Sequence, residues 1–242
     1  MGRLVIFIYG LFSYAVGLGG LVWFILFVGG WDFLPTHIES GIPGSLSTAI
    51  SINLGLIILF GFQHSVMARP AFKNRWTKII PRAAERSTYV LLTGIIMGLF
   101  CLYWQPLNGA LWQIDNQIGQ VVLIAGYCVG WFMVVLASFL INHFELFGLQ
   151  QVYFNLVRKS EPSPHFTERL LYKIVRHPLQ LGVLIGLWST PTMSMTHLML
   201  SVSMSVYIFI GLHYEEKDLV ATLGKEYENY QGRVRMIVPF PK

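Results

Sequence analysis

Basic residues are missing from every second loop of this chain. Its 17 Lys and Arg fall at Arg3, between Arg69 and Arg86, between Arg158 and Arg176, and from Lys217 onward. The connections on the opposite side of this map carry only Asp32, Glu39 and Asp115. Charge is scarce throughout, at 12% against 54% hydrophobic residues, which excludes an ordinary soluble domain. Cysteine is scarce too. Cys101 and Cys128 lie in apolar runs with no CxxC, so no disulfide framework is expected and both read as packing residues. There is no HExxH and no spaced Cys/His set, so no metal site is expected. The net charge of +5 is dispersed over loops that flank apolar segments. Membrane lipids, through their anionic headgroups, account for it as partners, and nucleic acid is excluded.

Apolar length is what the chain does have. Segments can be drawn at about Leu4–Gly29, Leu46–Met67, Tyr89–Trp104, Gly119–Ile141, Leu179–Thr196 and Leu198–Leu212. A span needs about 20 residues, so the third and the last two are short, and the last two are expected to pair as a hairpin. Backbone groups in lipid must bond internally, and the alternation of a barrel strand is missing. The expected fold is all-α: a multi-pass transmembrane helical bundle of five or six membrane segments with a cytoplasmic C-terminal helix. With both termini cytoplasmic, every Lys and Arg lies on the cytoplasmic side of the cell's inner membrane. The first segment is too long for a cleaved signal and reads as a retained helix. The chain reads as one integral-membrane domain, residues 1–242, with 1–141 as a membrane core of four helices and 142–242 carrying the chemistry.

Polar and ionisable residues crowd one boundary of that second part: Asn142, His143, Glu145, Gln150, Gln151, Arg176, His177, Gln180, His213, Glu215 and Glu216. Arg176 and His177 directly precede Pro178, which suits the first turn of a helix. The free N–H groups of such a helix start, with two basic side chains beside it, make a site for a carboxylate. Gly182 and Gly186 allow close approach of a helix or a flat ligand. Glu215 and Glu216 suit solvation, an ammonium group, a ribose diol or Arg176 alike. The two clusters together could bracket a zwitterion. The tail Glu215–Tyr230 has helical periodicity, with Leu219, Leu223, Tyr227 and Tyr230 on one face and Gly224 interrupting it. The closing residues 238–242 carry two prolines and read as extended.

Arg176-His177-Pro178, Glu215-Glu216-Lys217-Asp218-Leu219 and Leu223-Gly224-Lys225-Glu226-Tyr227-Glu228-Asn229-Tyr230 together resemble the C-terminal signature of the isoprenylcysteine carboxyl methyltransferase-like superfamily. That resemblance implies S-adenosylmethionine as cofactor, bound by residues 142–242. Arg176, His177, Pro178, Gln180, Gly182, Glu215, Glu216, Tyr227 and Tyr230 are the implied binding residues. The segments Gly61–Pro70, Asn142–Gln150 and Leu187–Met193 are similar to the methanethiol S-methyltransferases, close to the NnrU-like proteins. Gln180 stands where the carboxyl-methylating pattern has tyrosine. The implied reaction is methylation of a small thiol, methanethiol to dimethyl sulfide. A carboxyl or lipid methyltransferase of the same superfamily is the alternative. A haem protein with His64 and His143 as axial ligands ranks below both, because it leaves Glu215, Glu216 and the tyrosines without a role.

A thiol must lose its proton to become an effective nucleophile. His64, flanked by Gln63 and Ser65 near the inner end of the second segment, is the first candidate base. His143 with Glu145 is the second. A small acceptor asks for a narrow apolar pocket, for which Gln63, Phe144, Phe147, Trp188 and Met193 are candidate walls. His37, His165 and His197 fall in loops or at the hairpin tip and are expected to be uninvolved.

Overall fold

The computed structural model describes residues 2–160 and 168–239. Its helices are α1 (Arg3–Val28), α2 (Leu46–Ala68), α3 (Pro70–Trp76), α4 (Glu85–Tyr103), α5 (Gln117–Ile141), α6 (His143–Leu146), α7 (Leu149–Val157), α8 (Pro178–Trp188), α9 (Met195–Leu223) and α10 (Lys225–Arg233). Five are long and apolar enough to cross a membrane: α1, α2, α4 with its leading turn, α5 and α9. The protein is thus a multi-pass helical membrane bundle. Two compact units make up the chain. The first takes Met1–Asn108 and Asn142–Pro162, the second Gly109–Ile141 and Ser163–Lys242.

In the first unit α4 packs against α1 and α2, and α7 packs on α1. Pro70 occupies the first turn of α3, where its missing N–H costs nothing. Asn142 caps α6, its side chain accepting from the Glu145 N–H. The turn after α6 is buttoned onto the start of α4: Arg86 Nε donates to the Leu146 carbonyl at 2.7 Å, and the Ser87 hydroxyl donates to the Gly148 carbonyl at 3.2 Å.

In the second unit α5 packs against α8, and α9 contacts both α8 and α10. The α5–α8 crossing is set by glycine: a Cβ on Gly130 would stand 2.5 Å from the Gly186 nitrogen and 2.7 Å from the Gly182 oxygen. Only hydrogen at these positions lets the backbones meet. The segment drawn at Leu179–Thr196 is not one helix. It ends at Trp188, and Thr192–Ser194 forms a strand, β2, antiparallel to β1 (Ala110–Gln113). Strand pairing draws the chain out of the helix because two connections, both free of Lys and Arg, lie side by side.

The tail also differs from the periodic reading. No separate helix begins at Glu215; α9 runs 29 residues, from Met195 through the glutamate pair to Leu223. The break comes at Gly224, with φ +61° and ψ −137°, a conformation that a side chain disfavours. Leu219 and Leu223 nonetheless pack with Tyr227 and Tyr230, now as one cluster across that break. Beyond α10 the chain turns extended at Val234, and Arg235 bridges to Val175. Pro239 is the last described residue, so the rest of the proline-containing end lies outside the described residues, as does His165.

Candidate functional site

Both units bring predicted polar residues together. In the second unit a polar cluster centres on Glu216, which sits on α9 about two turns before the Gly224 break. Arg176 grips it with both arms: Nε to Oε1 and Nη2 to Oε2 at 2.8 Å each. His177 Nε2 lies 2.6 Å from Oε1, and the Tyr227 hydroxyl donates to Oε1 at 2.9 Å. Gln231 donates to Oε2 from one turn beyond Tyr227. Arg176 Nη1 also donates to the Val234 and Gln231 carbonyls. Arg176 N–H bonds the Arg235 carbonyl at 2.8 Å, and His177 N–H the Met236 carbonyl at 3.1 Å. One carboxylate therefore ties together the entry to α8, the last turns of α9, and α10 with its exit. Charge-assisted, forked bonds of this kind are the strong ones.

The Arg176–His177 pair does lie at a helix start, but the carboxylate it holds is the protein's own. Of the four partners that the glutamate pair suits, Glu216 takes Arg176. Glu215 does not share that burial: its side chain is 48% exposed, with Oε2 accepting from Gln180 Nε2 at 3.2 Å and 3.9 Å from His177 Nδ1. Glu215 and Gln180 are thus the members of the set best placed to meet a ligand. Pro178 is fully buried at the start of α8, and Gly182 lies against Gly130. Tyr230 is buried with its hydroxyl on the Tyr172 carbonyl. Burial raises the pKa of Tyr227 and Tyr230, and the Glu216 carboxylate raises both further. Both act as neutral donors.

Beside the clasp an open cleft of about 370 Å³ is lined by His213, Glu216, Lys217, Val220, Gln231 and Met236. It falls within the roughly 300–1,000 Å³ of small-molecule sites. Gln231 and Met236 escaped the sequence reading. Gln231 could have been found, since it follows Tyr227 by four residues on the same helical face. Met236 is brought in by the extended exit, which no helical periodicity marks.

In the first unit two histidines each meet a tyrosine. The Tyr89 hydroxyl faces the edge of the His64 ring, 2.9 Å from Nδ1 and Nε2 alike. Phe60 stacks on the other side of His64, with centroids 5.2 Å apart. His143 is buried, with Nε2 2.9 Å from the Tyr14 hydroxyl and its ring stacked on Phe147 at 4.6 Å. Phe147 also packs on Met67, Tyr89 and Val90, so the histidine clusters share a wall. Burial lowers the His143 pKa. Glu145 is exposed and its carboxylate accepts from Asn142, so the expected His143–Glu145 pair is directed to separate partners. Gln63 is held internally: its amide donates to Met67 Sδ and the Tyr89 carbonyl, and accepts from Thr93.

The candidate walls scatter. Phe144 is exposed and edge-on to His143. Trp188 closes α8 at the end opposite His177, about 15 Å away at 1.5 Å per residue. It donates to Ser205 at 3.0 Å. Met193 is fully buried within β2. Trp188 and Met193 therefore stand apart from the Glu216 cluster. His197, expected at a hairpin tip, is buried in the first turn of α9 and bonds the Leu187 carbonyl at 2.8 Å, fastening the α8–α9 turn.

Known proteins match along the whole chain. It is 41% identical over 240 residues to the methanethiol S-methyltransferase of Crocosphaera subtropica, covering 99% of this chain and 94% of that one. The methanethiol S-methyltransferase of Mycobacterium tuberculosis is 40% identical, with 100% and 98% covered. Methanethiol S-methyltransferase 2 of Bradyrhizobium diazoefficiens is 42% identical, with 98% and 91% covered. The chain belongs to the methanethiol S-methyltransferase family. No family model and no solved structure matches it. Membership covers both units, so the Glu216 clasp and the two histidine–tyrosine pairs are both parts of a chain homologous end to end.

Proposed function

We propose that this protein is an S-adenosylmethionine-dependent membrane methyltransferase that converts methanethiol to dimethyl sulfide at the inner leaflet. The observation that carries this is homology at about 40% identity over nearly the full length to proteins of that named activity. The charge map supports the orientation, with every Lys and Arg on the cytoplasmic side. The pairing of β1 with β2 supports it too, because the map puts both connections on the same side, free of Lys and Arg.

The residues present suit the cofactor. Glu215, half-exposed beside Gln180, offers a carboxylate to an ammonium group. Lys217 and His213 offer basic contacts to a carboxylate, and Val220 with Met236 an apolar wall for a flat ring. When bound, S-adenosylmethionine supplies a methyl group on a positively charged sulfur. Glu216, Arg176, His177, Tyr227 and Gln231 hold the cleft's walls in register rather than contact the reacting atoms. His64 serves as base for the thiol proton: it is half-buried at the inner end of α2, among Phe60 and Tyr89. A thiolate meeting a sulfonium cancels charge, which a water-poor, low-dielectric pocket favours.

Purified protein in nanodiscs is given S-adenosylmethionine and methanethiol, and dimethyl sulfide is read by gas chromatography. Formation of dimethyl sulfide and S-adenosylhomocysteine in equal amounts is the expected result. Cofactor binding without methylation of any small thiol would turn the reading to the carboxyl or lipid alternative.

A further inference from the structure

One basic block of this chain is unlike the others. Residues 69–84 hold Arg69, Lys73, Arg75, Lys78 and Arg82 and no Asp or Glu. The block from Arg158 to Arg176 mixes in Glu161 and Glu168, and the tail from Lys217 mixes in Asp218, Glu226 and Glu228. We propose that the α3 block is a binding site for an anionic phospholipid, with Arg75, Lys78 and Arg82 on its headgroup and Ile79 against an acyl chain. The proposal stands within the first unit and does not rest on the methyl-transfer reading.

The block joins two membrane-crossing helices. The span of α2 ends at Ala68 and that of α4 begins, with its leading turn, at Arg82, so the residues between them stay at the membrane boundary. Their backbone is folded. α3 runs from Pro70 to Trp76, and past it the Thr77 N–H bonds the Lys73 carbonyl, Lys78 the Arg75 carbonyl, and Ile79 and Ile80 the Trp76 carbonyl. Phe72, Trp76, Ile79 and Ile80 recur at helical spacing, the pattern of a segment that lies along an apolar surface. Phe72 packs on the Met67, Tyr89 and Val90 cluster and stacks on Trp76 with centroids 5.7 Å apart, which pins the block to the helices. Ile79 has no such cover and is 76% exposed.

The cations divide in the same way. Arg69 is the corner between α2 and α3. Lys73 is half-buried with Glu85 as its acidic neighbour. Arg75, Lys78 and Arg82 are exposed, and among the described residues no side chain gives them an ion pair or a hydrogen bond. Three unanswered cations beside a bare aliphatic side chain complement a ligand with a negative head and an apolar tail. Free phosphate or a nucleic acid would answer the cations and leave Ile79 in water. An anionic phospholipid answers both, and clustered Lys and Arg directly beside a membrane span are the usual mark of such recognition.

The test gives full-length protein in mixed micelles equal amounts of phosphatidylglycerol and phosphatidylcholine, and counts the retained lipid by native mass spectrometry. A cation near an anionic surface is worth about a fivefold preference, so wild type should retain phosphatidylglycerol in about tenfold excess or more, Arg75→Gln, Lys78→Gln and Arg82→Gln should each cut that excess about fivefold, and the triple variant should abolish it. Ile79→Ser should lower phosphatidylglycerol retention with every charge in place. Arg158→Gln combined with Lys225→Gln removes cations from the other blocks and should keep the wild-type excess. Equal retention of the two lipids by wild type, an undiminished excess in the folded triple variant, or the same loss in the Arg158 and Lys225 control overturns the inference. Complete displacement of the lipid by inorganic phosphate, or an Ile79→Ser protein that retains lipid as wild type does, reduces the block to an anion site and overturns the assignment to a phospholipid.

Discussion

Arg176 closes a two-pronged grip on Glu216, residues 40 apart in sequence, with both N–O contacts at 2.8 Å. Their side chains keep only 9% and 12% of their surface exposed, so neither charge is well solvated without the other. Every donor around Glu216 is a side chain whose backbone belongs to α8's entry or to α10. The ion pair joins the α8 entry to α9, and Tyr227, Gln231 and the Val234 carbonyl add α10 and its exit to it.

Glu216→Gln removes the charge that Arg176 and His177 face. Breaking one side of a buried pair costs about 3–5 kcal/mol. The residual exposure puts this case at the lower end. The unfolding midpoint in detergent, followed by tryptophan fluorescence, should fall by several degrees, and cofactor affinity by calorimetry should fall with it.

Glu215→Gln separates binding from folding. Its carboxylate is half-exposed and contacts Gln180 rather than the clasp. The midpoint should stay within a degree of wild type, while S-adenosylmethionine binds several-fold more weakly. If both variants shift the midpoint alike, the division of labour between the neighbouring glutamates is wrong.

Much of this was legible in the residues. Charge placement, apolar length and the absence of barrel alternation led to a helical membrane bundle. Arg176, His177 and Tyr227, picked from two separate motifs, meet around the carboxylate of Glu216, picked from a third. What escaped was anything decided by the meeting of distant segments. Nothing local distinguishes Glu215 from Glu216; only the packing of α9 against the α8 entry turns one inward. The helix through Leu179–Thr196 stops at Trp188 because β2 finds β1, some 80 residues earlier. Gly224 reads as a modest interruption of a tail helix, yet it is the corner where the long α9 ends. Tyr89 looks like one more aromatic in a span, and its contact with His64 needs α2 and α4 to lie side by side.

Gly182→Ala tests the close crossing of α5 and α8. A Cβ there would stand 2.6 Å from the Gly130 carbonyl oxygen, and backbone cannot step aside as a flexible side chain can. Overpacking of this kind costs typically about 1–3 kcal/mol. Since α8 carries Arg176 and His177 at its start, the same variant should weaken cofactor binding without touching any ligand contact. Alanine at Gly19, where nothing lies within 4 Å, is the matched control and should leave the midpoint unmoved.

Acid should weaken the first unit through His143. Burial holds its folded-state pKa below the ordinary 6.5, so the folded protein resists a proton that the unfolded chain accepts. The neutral ring's stability is fully present above the unfolded pKa. It is lost as pH falls from there through the lowered folded value. His143→Phe keeps a ring to stack on Phe147 but gives up the Tyr14 bond, worth about 1 kcal/mol, at every pH. The variant should therefore start less stable at neutral pH and lose less on acidification. Unfolding midpoints measured across this range would show the two curves converging on the acid side, and parallel curves would mean that His143 is not the group that titrates.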